Sequence, residues 1–365
     1  MAQLLDEIEW GEPILPTTAD PAWEAEVRRR VGRVGEIDRR VAANRWVRQA
    51  CVDVTSLRPS QIPPRLFNIA LLVTAQENSC RYCYGAIRAS MKISGYSEAF
   101  IRQIERDADL AGLDARDRAF TEFCRNLARA RPRPAKQAFE NLVQLGFPNA
   151  MATEIAFAIA MGCFYNRIGV LTACPPERGF ERFANGPLGR AIGTVAPLVR
   201  PLTTLRWRAT PPATQPTAEL VSGPFGRVVA TLTELPPAAQ MMKAALDGAF
   251  DSPVLSHAVK ALMFAVVGRS LDCSYSEGEA RRLLESDCLE SAEVDSAISS
   301  LTSTRLSAEE SRLLPWVRDT VHYQTAPIQN RTRAIAAELG GSMALEAIGV
   351  AALANATVRL AMLLQ

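Results

Sequence analysis

The residues of this chain best suited to chemistry are two cysteines, Cys80 and Cys83, separated by two residues. A spacing of three places them on nearly the same face of a helix, and Asn78 or Ser79 is a natural cap for a helix that begins there. Because the first turn of a helix leaves backbone N–H groups unpaired, this position favours a thiolate. The spacing therefore predicts a pair of sulfurs at the start of a helix.

Positive charge beside the pair adds to this prediction, since Arg81 and Arg88 are close to it in the sequence. A thiolate of lowered pKa attacks peroxides or disulfides, and a second sulfur one turn away can resolve the product as an intramolecular disulfide. The pair is thus predicted to be redox-active.

Three other interpretations of the pair stay open. Zinc would need two further ligands, for which the sequence offers only His257, His322 and scattered cysteines. Both cysteines could instead be small buried hydrophobic residues, or they could form a structural disulfide. The sequence shows no phosphate loop, nucleophile elbow or histidine pair, so neither a metal nor a cofactor is predicted.

The composition limits the classes of partner. The 365 residues include 41 basic and 39 acidic side chains, and the net charge of +2 gives no field that would attract nucleic acid or an anionic membrane. The arginine-rich stretch 28–40 alternates with acids such as Glu36 and Asp38, which predicts a salt-bridged helix face. No uncharged apolar run reaches ~18 residues, and residues 1–13 lack the order of a secretory signal. We expect a soluble, cytoplasmic protein with reduced cysteines and with neither nucleic-acid nor membrane partners.

Apolar residues recur with a period near four along almost the whole chain, which predicts an all-α protein. Asp114 is placed to cap one of the helices, which would continue through Phe120 and Phe123. The helices expected in the first half are 22–46, 65–74, 82–93, 98–110, 115–129, 135–145 and 150–171.

A proline-rich stretch divides the chain. Twelve prolines fall between Pro175 and Pro253 inclusive, which is typical of a connector and not of a core. We therefore expect a first domain at 1–180, a connector at 181–235 and a second domain at 236–365.

The two domains are predicted to be copies of one another. When the chain is shifted by 193 residues, 80–88 falls on 273–281, and four of nine positions are identical. The identical pairs are Cys80/Cys273, Tyr82/Tyr275, Gly85/Gly278 and Arg88/Arg281.

Near the end of the repeat, with a shift of 192, Glu154 falls on Glu346 and Arg167 on Arg359. Glu154 and Arg167 are predicted to be buried polar partners within the scaffold. The second copy has Ser276 in place of the second cysteine, and a serine hydroxyl cannot form a disulfide. We therefore expect one redox centre per chain.

The stretches 77–86 and 164–168 resemble the alkylhydroperoxidase D-like, carboxymuconolactone decarboxylase superfamily. The resemblance covers 65–171 well and the second half more faintly. It implies an all-α fold, assembly into trimers or hexamers, and peroxidase or disulfide reductase activity at the cysteine pair. In peroxidase members the second cysteine attacks the peroxide, so Cys83 would be the peroxidatic thiol and Cys80 the resolving one.

This chain departs from the family pattern at both members of the proton relay. The family histidine would fall at Ile87, and the relay glutamate would fall at Asn68. Glu77, Tyr84 or Arg88 could substitute in part, and Glu77 is the candidate that we place in the catalytic site with the two cysteines. A thiolate that lacks its general base reacts more slowly, by something like ~10²–10⁴-fold.

The leading hypothesis is a thiol-dependent peroxidase or disulfide reductase that acts on a small hydroperoxide or disulfide with an external thiol as electron donor. One alternative is an enzyme of the decarboxylase branch, or another small-molecule enzyme that does not use the cysteines. Another is a non-catalytic assembly or binding protein that keeps the duplicated fold. The resemblance also implies a homo-oligomer, and because two fused copies can mimic a dimer of single domains, fewer chains could complete a family-like ring.

Overall fold

A computed structural model describes residues 3–106, 112–130, 136–206, 217–286 and 289–364 of this chain. The structure is 74% helical, and the described residues contain no strand, which confirms the predicted all-α class. Cys288 and residues 207–216 of the predicted connector lie outside the described residues.

Twenty α-helices and two short 3-10 helices, Leu5–Glu7 and Met362–Leu364, make up the described part of the chain. The α-helices are α1 (Pro21–Val31), α2 (Glu36–Arg40), α3 (Arg45–Ser56), α4 (Pro64–Glu77), α5 (Arg81–Ile93), α6 (Glu98–Arg106), α7 (Ala115–Arg129), α8 (Lys136–Gln144), α9 (Asn149–Leu171), α10 (Arg178–Asn185), α11 (Pro187–Arg206), α12 (Thr217–Leu220), α13 (Gly226–Ala230), α14 (Pro236–Asp251), α15 (His257–Ser270), α16 (Ser274–Ser286), α17 (Ser291–Ser300), α18 (Ala308–Ser311), α19 (Leu313–Asp319) and α20 (Thr325–Ala361).

Local sequence signals place most of the first-half helices correctly. The helix predicted at 115–129 is α7, and the Asp114 carboxylate accepts the backbone N–H of Asp117 at 2.7 Å, as expected of its cap. The single helix predicted at 22–46 is wrong, because three helices occupy that stretch. Gly32 ends α1 in the left-handed region at φ 90°, a conformation that glycine adopts without steric cost.

The centre of the protein is the contact between α9 and the second part of α20, which follows a break at Gly340. Helices α3, α4, α5 and α7 pack around α9, while α14, α15, α16 and α19 pack around α20. Both central helices are long and apolar enough to cross a membrane. Inside this structure, however, 94% and 89% of their most apolar windows are buried. Their apolar composition is thus accounted for by burial in the core.

Two stretches of the chain share one local geometry. Helices α4, α5 and α6 begin 193 residues before α15, α16 and α17, respectively. The turn before α5 contains Ser79 at φ 45°, and the turn before α16 contains Asp272 at φ 50°. Immediately after these residues, Cys80 and Cys273 each donate their backbone N–H to the carbonyl five residues earlier. The helix starts and the turn geometry therefore recur at the spacing of the sequence repeat.

The described parts of the predicted connector are mostly helical. Helices α10 and α11 pack on α5, while α12 and α13 pack on α14. Pro187 occupies the first position of α11, where its missing N–H leaves no helical bond unmade. Each end of the proline-rich stretch is therefore packed against a neighbouring half of the chain.

Glu154 is buried, but it does not pair with Arg167, so that prediction is wrong. Its two carboxylate oxygens accept the backbone N–H groups of Ser60, Gln61 and Ile62 at 2.7 to 2.9 Å. Arg167 donates instead to groups at the ends of α4 and α19. Glu154 thus fixes the loop that leads into α4, the helix before the cysteine pair.

Replacing Glu154 with alanine should lower the free energy of unfolding by about 2–3 kcal/mol, because backbone donors in the loop before α4 would lose their acceptor. Urea denaturation followed by circular dichroism measures the change. The matched control is Glu140→Ala, a change at an exposed position of α8, which should stay within about 0.5 kcal/mol of the wild type. Equal effects of the two substitutions would contradict the assigned role.

Candidate active site around Cys83

Helix α5 begins directly after the first cysteine of the pair. Cys80 itself is the N-cap, and its sulfur accepts the backbone N–H of Cys83 at 3.3 Å. The expected caps, Asn78 and Ser79, have other positions, because Asn78 ends α4 and Ser79 makes the turn between the helices. The prediction that the pair lies at the start of a helix is confirmed, although the capping group is a thiol.

Both sulfurs face α9 at Gly169. A Cβ atom at that position would lie 2.9 Å from the Cys80 sulfur and 3.5 Å from the Cys83 sulfur. A glycine is therefore needed for the start of α5 to approach α9 this closely. The two thiols are free and almost fully buried, with exposed fractions of 0% for Cys80 and 4% for Cys83.

Cys83 lines a cavity of about 310 Å³, whereas Cys80 is not among its lining residues. Ile87, at the position of the missing family histidine, also lines this cavity. Most of the wall is apolar or aromatic and is contributed by α3, α4, α5, α9 and α10. It includes Val54, Phe67, Leu71, Ala86, Ala158, Met161 and Phe180. A small apolar molecule bound here would lie against Cys83 and not against Cys80.

Two buried polar side chains in the cavity wall each have an atom without a hydrogen bond to the described residues. They are Asp38, through Oδ1, and Asn166, through Nδ2, with exposed fractions of 5% and 4%. The other oxygen of Asp38 accepts the Gly35 N–H at 2.7 Å. Buried polar atoms are nearly always hydrogen-bonded, so this acceptor and this donor are available to a bound molecule.

Asp38 is a candidate functional residue that the sequence did not indicate. Its place in an arginine-rich stretch favoured a surface salt bridge, and nothing in the local pattern indicates a cavity. Burial raises the pKa of Asp38 above its ordinary value, although the Gly35 N–H works against this shift. A carboxylate with a raised pKa is a stronger base than an exposed one.

Two tyrosines also contribute to the wall. The Tyr82 hydroxyl donates to Glu177 at 2.8 Å, and Glu177 also pairs with Arg33. Burial raises the pKa of Tyr165 well above its ordinary value, and the nearby Asp38 and Cys83 raise it further. Tyr165 therefore stays protonated and lies within electrostatic range of both the candidate base and the candidate nucleophile.

The resting environment of Cys83 disfavours a thiolate. Burial raises the pKa of the Cys83 thiol well above its ordinary value, and the neighbouring thiols of Cys80 and Cys174 raise it further. The backbone N–H of Cys83 has the opposite effect, but it is the smallest of these contributions. The expectation of a lowered pKa is therefore wrong for this structure.

The two arginines expected to stabilise a thiolate are engaged elsewhere. Arg81 forms a bidentate pair with Glu181 at 2.8 and 3.0 Å, and Arg88 pairs with Glu98 and with Glu105. Neither arginine lines the Cys83 cavity. Their charges are compensated by carboxylates that come from other parts of the chain.

Glu77 does not line the Cys83 cavity. Its carboxylate is buried between Arg125, at 2.8 Å, and Arg129, and it lines separate cavities next to the second half of the chain. Tyr84 lies beside Glu105 and is likewise absent from the cavity wall. The residues expected to replace the relay thus lie outside this cavity, whereas Asp38 and Tyr165 line it together with Cys83.

Searches of family models, curated proteins and solved structures found no match to this chain. The chemistry of the site is therefore inferred from its geometry.

Among the described residues, no group of three or more His, Cys, Asp or Glu side chains is arranged to hold a metal ion. A zinc ion at the cysteine pair would thus lack further ligands from these residues. In the second half, Cys273 lies 3.2 Å from the Ser276 hydroxyl, and these two groups cannot form a disulfide.

Alkylation of Cys83 by iodoacetamide in the folded protein should accelerate about tenfold per pH unit from pH 7 to pH 9 without a plateau, because a raised pKa keeps the thiolate fraction small over this range. Mass spectrometry of the tryptic peptide 82–88, which excludes Cys80, measures this rate. The urea-unfolded chain is the control and should level off above the ordinary thiol pKa of ~8.5. A plateau below pH 8 in the folded protein would show a stabilised thiolate instead.

Proposed function

We propose that this chain is a thiol-dependent peroxidase or disulfide reductase of the alkylhydroperoxidase D-like type, with Cys83 as the attacking thiol and Cys80 as the resolving one. The observation that supports this assignment best is that Cys83 lines an apolar cavity while Cys80 lies behind it at the helix cap. The cavity favours a small organic hydroperoxide over hydrogen peroxide, because its wall is mostly apolar.

The proposed reaction consumes one hydroperoxide and two thiols. Cys83 loses its proton and attacks the outer peroxide oxygen, so the O–O bond breaks, an alcohol leaves and a sulfenic acid forms. The Cys80 sulfur then attacks the Cys83 sulfur, which releases water and forms the Cys80–Cys83 disulfide. An external dithiol reduces this disulfide and is itself oxidised.

The proton of Cys83 needs an acceptor, since burial holds the thiol in its neutral form. We assign this role to Asp38, whose free oxygen is part of the same wall and whose pKa is raised by burial. Tyr165, within electrostatic range of both groups, is the donor best placed to pass a proton between them or to the departing alcohol. These residues would take over the relay that the sequence lacks at Ile87 and Asn68.

The proposal includes the internal duplication. The shared starts of three helix pairs at a spacing of 193 residues support it, as do the matching left-handed turns at Ser79 and Asp272. Because Ser276 replaces the second cysteine, each chain would carry one redox centre. A homo-oligomer, a cytoplasmic location and an external thiol donor remain part of the same proposal.

Cys83→Ser should abolish dithiol-coupled reduction of an organic hydroperoxide, with a loss of at least about 10³-fold, since no other thiol lines the cavity described here. Cys80→Ser should stop turnover but retain one round of peroxide consumption per chain, because the sulfenic acid still forms. Spectrophotometric assays of the turnover rate and of the hydroperoxide consumed per chain test these expectations.

The control is Cys124→Ala, a buried cysteine of α7 outside the cavity, which should keep its activity. Equal turnover by Cys83→Ser and the wild type would overturn the assignment.

Asp38→Asn should lower the peroxidase rate at pH 7 by about 10²-fold, because the amide cannot accept the thiol proton but can still accept the Gly35 N–H. The difference in rate between the variant and the wild type should become smaller as pH rises, because Cys83 then ionises without a base. The rate is therefore measured from pH 7 to pH 10. Asp53→Asn, at a carboxylate of α3 that pairs with Arg30 outside the cavity, should keep the wild-type profile. A constant deficit at every pH would argue against a base.

The raised pKa of Cys83 favours a second candidate, namely small-molecule acid–base chemistry at Asp38 that leaves the thiols unused. The unpartnered atoms of Asp38 and Asn166 would then hold the polar end of the substrate. Turnover that survives replacement of both Cys80 and Cys83 but is lost in Asp38→Asn would select this candidate.

A further inference from the structure

Two arginines are buried where α9 and α20 meet the ends of other helices. Arg167 of α9 is 1% exposed and donates to the carbonyls of Thr320 and Val321, at the end of α19, and to the side-chain oxygen of Asn78. All of these acceptors are neutral. None of them supplies a formal negative charge to balance the guanidinium.

Arg359 of α20 mirrors this arrangement. It is also 1% exposed, and it donates to the carbonyl of Ala128, in the last turn of α7, and to the carbonyl and side-chain oxygens of Asn355. Its Nη2 makes no hydrogen bond to the described part of the chain. Carbonyls at a helix end carry only a partial charge of about −0.5 e per helix.

The surroundings leave positive charge in excess. Arg167 and Arg359 line a shared cavity of about 210 Å³ together with Glu77 and Arg129. Glu77 is the one acidic side chain among the described residues that line this cavity, and it is already held by Arg125 and Arg129. Burial lowers the pKa of Arg359 to about 9, and Arg167 contributes to this shift. Buried charges are normally paired, and these two lack a paired anion.

We propose that the cavity between Arg167 and Arg359 binds a small oxyanion, either phosphate or the carboxylate of a small molecule. Arg359 supplies a free N–H donor in the planar fork that suits oxyanions, and the volume exceeds that of a halide ion. His322 is exposed and lines the same cavity, so this side is accessible from solvent. The site is distinct from the Cys83 cavity, with which it shares no lining residue.

Thermal unfolding in Tris buffer tests this site, with sodium phosphate or sodium acetate replacing sodium chloride at constant ionic strength. At ten times its Kd the bound anion should raise the Tm of the wild type by roughly 2 °C. A rise with phosphate alone identifies a phosphate site, and a rise with acetate alone identifies a carboxylate site. Arg359→Met should lose the rise with either oxyanion, measured against its own Tm in chloride, because the guanidinium that would bind the anion is removed.

Arg282→Met is the matched control, because it removes a guanidinium that is 58% exposed in the second half, and it should keep the anion-dependent rise. The proposal would be overturned if neither oxyanion changes the wild-type Tm at constant ionic strength. It would also be overturned if the Arg359→Met variant retains the anion-dependent rise in Tm. If that variant does not fold, calorimetric titration of phosphate and of acetate into the wild type decides, and the absence of saturable binding of both refutes the site.

Discussion

The contact between α9 and α20 is the constraint on which the rest of the structure depends. Helix α9 and the second part of α20 are apolar on nearly every face, so neither can exist in water until other helices cover it. Each also carries one buried arginine that must find acceptors. Arg167 finds them at the end of α19, and Arg359 finds them at the end of α7. Because these acceptors belong to the opposite half of the chain, the two arginines fix how the halves pack.

The candidate active site follows from this core. Tyr165, Asn166 and Gly169 are close together on α9 and form part of the wall or of the surface behind the sulfurs. The apolar surroundings that hold α9 in place also bury Cys83 and raise the pKa of its thiol. In the proposed reaction, the apolar surroundings would both admit an apolar substrate and keep the resting thiol neutral, and Asp38 would offset the second effect as a base.

The two halves share a backbone unit but differ in what covers it. In the first half, α2 and α3 contribute wall residues of the cavity, including Asp38 and Val54, while α10 contributes Phe180. In the second half, the Cys273 sulfur lies 3.2 Å from the Ser276 hydroxyl oxygen, and these two groups cannot form a disulfide. The second half nevertheless supplies the carbonyls that hold Arg167, and it therefore supports the half that carries the cysteine pair.

The sequence by itself determined the all-α class, the main helices around the cysteines and the position of the pair at a helix start, because these features depend on periodicity and on neighbouring residues. The tertiary structure decided which charged groups pair with one another and which titratable groups line the cavity. Arg81 meets Glu181, 100 residues away, and Glu77 meets Arg125, 48 residues away. Asp38 enters the cavity only when α2 packs against α3, which also lines it. No local pattern encodes such contacts, since folding brings together groups that are far apart in the chain.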